Sequence, residues 1–184
     1  MKNKFLIVFI IICIFSCLGI YGYLVYTNFK YPFSYKTEIV EYSIKYDISC
    51  ELVASLINCE SGFDKSVMSS KGAIGLMQIM PTTAVEVANK LGIEFEVDDL
   101  FDIDTNINIG CYYLKYLLNM FDGNIDNALS AYNWGLSNVK TWILKGNTDG
   151  YGNITNIPVR ETENYLKKYR RAKIMYTNIF GYDV

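Results

Sequence analysis

The sequence contains no histidine. That excludes Ser-His and Cys-His nucleophilic catalysis and removes the commonest ligand of a protein zinc site. An excess of charge is missing too: 17 Lys and Arg meet 19 Asp and Glu, for a formal net charge of -2. No global field therefore marks nucleic acid as a partner. The five cysteines (13, 17, 50, 59 and 111) follow no metal or redox spacing. Cys50 and Cys59 are nine residues apart on one expected helix. That puts them about 13 Å apart on opposite faces, too far to bond each other. Buried free thiols are the default reading, and a Cys59–Cys111 or Cys50–Cys111 bridge is the alternative in oxidising surroundings. With no repeat and no second domain in view, carboxylate chemistry is what the composition leaves.

Apolar residues are plentiful, at 51%. Phe5 to Tyr26 is an almost unbroken apolar run of 22 residues, long enough to span a bilayer as a helix. Lys2 and Lys4 before it favour a cytoplasmic N-terminus, and Tyr21, Tyr23 and Tyr26 suit the outer interface. A cleaved secretory signal competes, but no small-x-small site follows the run. A lipoprotein signal modified at Cys17 is a third reading, which Phe15 before Ser16 fits poorly. The adopted expectation is a transmembrane anchor over residues 1–27, a linker over 28–35 holding Pro32, and one soluble domain over 36–184. That domain is large enough for a sizeable core.

Within the domain, Lys36 to Tyr46 reads as a helix with Ile39, Tyr42 and either Ile44 or Tyr46 inward. A second helix is expected from Ser49, a good N-cap, with Glu51 in its first turn and Leu52, Val53, Leu56 and Ile57 at helical spacing. Glu60 continues that apolar row, and Ser61-Gly62 ends it. A carboxyl on an apolar face is partly desolvated, which raises its pKa and keeps a proton available near neutral pH. Phe63 to Pro81 reads as loop and turn with a short hairpin around Ile74 to Ile79. Pro81 opens a helix that Gly92 closes. Glu94 to Asp104 reads as a solvated acidic loop. Further helices are expected from Asp104 or Thr105 to Phe121, from Ile125 to Trp134, from Ser137 to Leu144 with Val139 and Trp142 inward, and from Val159 to Phe180. Lys145 to Ile157 reads as a surface loop. The basic run Lys167, Lys168, Arg170, Arg171 and Lys173 reads as a solvated face, with contact to anionic wall polymers as its functional alternative.

Four blocks then stand out in order: Glu60-Ser61-Gly62-Phe63; Gly72-Ala73 with Gly75-Leu76-Met77-Gln78-Ile79-Met80-Pro81; Asn106-Ile107 with Gly110; and Ala131-Tyr132-Asn133 with Gly135. Ile157-Pro158, Glu161-Thr162 and Tyr165 extend the pattern. From about Tyr42 to Tyr165 the chain resembles the soluble lytic transglycosylases, peptidoglycan-cleaving members of the lysozyme-like superfamily. The resemblance implies a mainly helical, lysozyme-like fold with at most a small β-hairpin, and no cofactor. It implies cleavage of the β-1,4 bond between N-acetylmuramic acid and N-acetylglucosamine, leaving a 1,6-anhydro end, with one glutamate as acid and base. Carried over by that resemblance, Glu60 is the acid-base. Ser69, Gln78 and Met80 line the saccharide cleft, Tyr132 and Asn133 hold the site near Glu60 and the sugar N-acetyl group, and Glu161 lies across the cleft.

The implied partners are peptidoglycan glycan strands and the cytoplasmic membrane, with the domain on the extracytoplasmic side. Cell-wall, secretion or conjugation machinery is a further candidate. Each site residue has a structural alternative: Met80 as plain core, Tyr132 as a buried aromatic, and Glu161 as an acid favoured by a helix N-terminus. Two departures from the family pattern are Trp134 in place of a small residue, which fills a core gap or adds a stacking surface, and Lys65 in place of a proline. Two rival functions share the sequence: a muramidase using an aspartate such as Asp98 or Asp102 to position water, and a tethered scaffold that binds glycan without cutting. An inactive scaffold has no need of Glu60.

Overall fold

The structure is a computed structural model that describes residues 2–149 and 152–181. Its helices are α1 Lys2–Lys30, α2 Lys36–Tyr46, α3 Cys50–Glu60, α4 Pro81–Leu91, a 3-10 helix Val97–Phe101, α5 Ile103–Met120, α6 Ile125–Trp134, α7 Leu136–Leu144 and α8 Arg160–Phe180. The domain is mainly helical, as expected. Only isolated β-bridges occur among the described residues, Met68 to Ile74, Ile74 to Ile79 and Thr148 to Ile154. The expected hairpin is thus reduced to single pairings.

Helix α3 is the central post. Every residue from Leu52 to Cys59 is buried, so it is enclosed on all sides rather than amphipathic at a surface. Its main neighbour is α8, which contributes Leu166, Tyr169, Ala172 and Tyr176 to the same core. Ile107, Cys111 and Leu114 of α5 close the core from another side, and a satellite cluster of Leu117, Phe121, Ala128, Ala131, Val139 and Trp142 joins α5, α6 and α7. All five cysteines are free thiols, with Cys59 and Cys111 buried.

The loop between α3 and α4 is held by one buried asparagine. Asn106 is 1% exposed. Its Oδ1 accepts from the Met77 N–H at 2.8 Å, while its Nδ2 donates to the carbonyls of Ile74 at 3.0 Å and Leu100 at 2.8 Å. One side chain therefore satisfies three backbone groups that burial would otherwise leave unpaired. Glycine is required where the parts come close. A Cβ on Gly75, which has φ 77°, would stand 2.3 Å from the Asn106 amide and the Leu100 carbonyl, and a Cβ on Gly110 would stand 2.3 Å from the Met77 sulfur.

Several expectations need correction. Ser49 has extended N-cap geometry, but its side chain makes no capping bond. The acidic segment is not all loop: Leu100 is fully buried, and a reciprocal pair of bonds between Glu96 and Asp99 caps the 3-10 helix around it. One buried leucine anchors what its six acids suggested was a solvated strand of chain. In α2 it is Tyr46 that turns inward, while Ile44 is 74% exposed. Helix α1 runs to Lys30, three residues beyond the expected end of the anchor. It is the one helix among the described residues long and apolar enough to cross a membrane. Residues 150–151 of the expected surface loop, residues 182–184 of the domain and the side chain of Lys2 lie outside the described set.

The end of α1 is fastened to the domain. The Asn58 amide donates to the Lys30 carbonyl at 3.0 Å, and the Tyr176 hydroxyl donates to the Pro32 carbonyl at 2.7 Å. Phe33 meets Phe180 edge to face, with ring centroids 5.1 Å apart.

Candidate active site

Glu60 is the last residue of α3. Beyond it, the Ser61 hydroxyl donates to the Leu76 carbonyl at 2.8 Å and accepts from the Phe63 N–H at 3.1 Å. Gly62 and Phe63 both take positive φ, 63° and 69°, so the chain reverses sharply and leaves the carboxyl at a helix end instead of inside a continuing coil. Phe63 meets the strain of that conformation by packing between Tyr35 and Tyr176.

Burial pushes the Glu60 carboxyl up from its ordinary value of 4.5 to about 7. Two groups oppose the rise, the Tyr165 hydroxyl and the positive charge of Lys168. Tyr165 donates to Glu60 Oε1 at 2.6 Å, and Lys168 Nζ donates to the Cys59 carbonyl at 2.7 Å. Desolvation wins, and a carboxyl balanced near neutrality can both give and take a proton.

Gln78, Met80, Tyr132, Asn133 and Trp134 line a single cavity of about 390 Å³. No carboxylate among the described residues lines it. Three roomier cavities, of about 640, 660 and 430 Å³, lie elsewhere and include none of the expected site residues. Tyr132 connects the cavity to the acid. Its hydroxyl donates to the Met77 carbonyl at 2.8 Å, and its pKa is driven well above the ordinary value, first by burial and then by the charge of Glu60. Trp134 forms cavity wall, with Lys71 Nζ 5.6 Å from its ring centre.

The remaining expected residues fall less simply. Gln78 has φ 48°, and its amide nitrogen is already spent on the Val67 and Gly75 carbonyls at 3.0 and 2.9 Å. It braces the loop and turns only its remaining polarity to the cavity. Ser69 is outside the cavity lining, and its hydroxyl accepts from the Ala73 N–H at 2.9 Å. Asn133 Oδ1 accepts from the buried Thr162 hydroxyl at 2.9 Å. Glu161 is exposed in the first turn of α8 and is not part of the lining. Sequence spacing alone does not mark Tyr165 or Lys168 as site residues. Tyr165 stood in the matched pattern, but its helical spacing reads equally well as a core aromatic.

The family model described as "Transglycosylase SLT domain" matches residues 38–154. The chain belongs to the SLT transglycosylase domain family. It is 33% identical over 160 residues to the soluble lytic murein transglycosylase of Salmonella typhimurium, covering 83% of this chain and 24% of that protein. It is 28% identical over 158 residues to the membrane-bound lytic murein transglycosylase C of Haemophilus ducreyi, covering 73% and 43%. Among solved structures, an inactive glutamate-to-glutamine mutant of the lytic transglycosylase Slt of Pseudomonas aeruginosa superposes with a TM-score of 0.76 at 26% identity, covering 84% of this chain and 26% of that one. The chain thus spans about a quarter of the length of the soluble relative. The SLT fold accounts for the mainly helical architecture, in which Glu60 ends the central helix.

Proposed function

We propose that this SLT-domain chain is a membrane-anchored lytic transglycosylase that cuts peptidoglycan glycan strands with Glu60 as sole acid and base. The observation that carries the reading is the Glu60 carboxyl near 7, whose charge reaches Tyr132 in the wall of a cavity lined by no carboxylate among the described residues. Cleavage of a glycosidic bond by water ordinarily takes two carboxylates. Ring closure by a hydroxyl of the substrate needs one.

Protonated Glu60 gives its proton to the bridging oxygen between N-acetylmuramic acid and N-acetylglucosamine, and the muramic acid C1–O bond breaks. The carboxylate so formed takes the proton of the C6 hydroxyl, whose oxygen closes onto C1 as the 1,6-anhydro ring. Glu60 ends protonated and no water is consumed. The internal nucleophile supplies its own proximity, while Tyr165 fixes the carboxyl and Tyr132 joins it to the sugar-sized cavity. The muramidase alternative needs an aspartate to position water. Asp102 accepts from the Thr105 N–H as a helix cap, Asp98 is exposed, and neither lines the cavity.

Digesting purified peptidoglycan and weighing the released muropeptides tests the reading. Anhydro ends, lighter than reducing ends by one water, are expected, and reducing ends alone would overturn it. We also infer that α1 crosses the membrane once with the domain outside. A protease added to intact protoplasts is expected to remove the domain, and its survival would reverse that orientation.

A further inference from the structure

Where α1 meets the domain there is a further concave site, of about 430 Å³, lined by Phe29, Lys30, Tyr31, Asn58, Gly62, Lys168 and Arg171. Among the described residues three cations face it and no carboxylate does. Elsewhere on α8, Lys167 is paired with Glu163 and Arg170 with Asp126. Arg171 has no ion-pair partner among the described residues, and it is close enough to Lys30 for the two charges to repel. Lys168 and Lys30 are held in place. Lys168 Nζ donates to the Cys59 carbonyl at 2.7 Å, and Lys30 Nζ donates to the Tyr26 hydroxyl at 2.8 Å. Like charges gathered in a concave site lower their mutual cost by taking up an anion.

The position of the site identifies that anion. Phe29 and Lys30 end the one helix among the described residues long and apolar enough to cross a membrane, just past its apolar run, so with α1 spanning the bilayer the headgroup layer lies at the level of this cavity. The Asn58 bond to the Lys30 carbonyl and the Tyr31–Tyr176 ring contact fix the helix end to α3 and α8, so membrane and cavity meet in one geometry. We propose that this basic cavity binds the phosphodiester headgroup of an anionic phospholipid in the bilayer that α1 enters. Its polar wall takes the phosphate, while Phe29 and Tyr31 lie along the glycerol and upper acyl region. The occupant seats the domain against the membrane with the Glu60 end of α3 next to the contact, since Asn58 and Gly62 bracket that end. The inference rests on α1 spanning the membrane.

The test places the full chain in nanodiscs of phosphatidylcholine with a minority of phosphatidylglycerol and counts retained lipid by native mass spectrometry as detergent is added. The wild type is expected to keep one phosphatidylglycerol selectively. Arg171→Gln and Lys30→Gln should each reduce that retention about fivefold, the effect of one basic residue at an anionic surface. Lys173→Gln, on the same helix but outside the cavity lining, should leave it unchanged. Absence of a phosphatidylglycerol preference, or equal losses for Lys173→Gln and Arg171→Gln, would overturn the site. Displacement of the lipid by millimolar inorganic phosphate would assign the cavity to free phosphate and overturn the lipid. Carbonate washing of pure phosphatidylcholine vesicles reads the anchor separately. A chain washed off overturns the anchor and this site together, whereas one that stays without preferring phosphatidylglycerol overturns the site alone.

Discussion

Glu60 and the six acids between Glu94 and Asp104 carry the same functional group in opposite surroundings. The six crowd into eleven residues of chain and are mostly solvated. Asp102 among them is held below the ordinary carboxyl value, chiefly because the Thr105 N–H donates to its ionised form. Glu60 stands alone at the end of a buried helix, and burial carries it in the other direction, to about 7. Local density of acids therefore says little about acid-base chemistry. The amount of water each carboxyl retains decides whether it stabilises a helix end or exchanges protons.

The contrast breaks most clearly on activity. Glu60→Gln keeps shape and polarity but removes the titrating proton, and it is expected to lower anhydromuropeptide yield at least about a hundredfold. Glycan binding should survive in a sedimentation assay, because the amide still accepts from Tyr165. Near-normal yield from this variant would end the single-glutamate mechanism.

A smaller effect is expected one step out from the acid. Tyr165→Phe removes a bond that favours the ionised carboxylate, so the Glu60 pKa should climb above about 7. A pH–rate profile should show its alkaline limb displaced upward, with a loss of about tenfold at the optimum, the scale of one hydrogen bond to a charged group. An unmoved or downward-shifted limb would mean that Tyr165 acts only as packing.

Stability sharpens the comparison, because the two carboxyls have opposite signs. The folded pKa of Glu60 is raised, so its contribution is complete below about 4.5 and is lost as pH rises through about 7. Denaturant titrations should therefore find Glu60→Gln gaining on the wild type across that window, by about 3 kcal/mol at its upper end. Asp102 is depressed below 3.8, so its contribution is present above that value and disappears as pH falls below it. Asp102→Ala should cost about 1 kcal/mol at neutral pH, as for other lost N-caps, and the difference should close in acid.

The smallest effect should come from Asp98→Asn, at an exposed position of the 3-10 helix. It is expected to leave both anhydromuropeptide yield and the denaturation midpoint unchanged. A loss comparable to that of Glu60→Gln would favour the water-positioning aspartate of a muramidase.

Helical periodicity alone determined where most of this chain coils and which residues enter the core, because a 3.6-residue repeat of apolar side chains is a local property. It placed Glu60 on the apolar row of its helix, and Gly62 and Pro81 marked the adjoining boundaries. Tertiary structure decided the rest. Tyr165 reaches Glu60 from 105 residues away, and only the packing of α8 on α3 aims its hydroxyl at the carboxyl instead of burying it as one more core aromatic. Gln78 looked free to meet a sugar until a left-handed backbone folded its amide back onto Val67 and Gly75. Leu100 turned an acidic segment inward because the core had room for one leucine. Spacing along the chain reports which face a residue lies on, whereas desolvation, hydrogen-bond partners and charge neighbours depend on segments that meet only after folding.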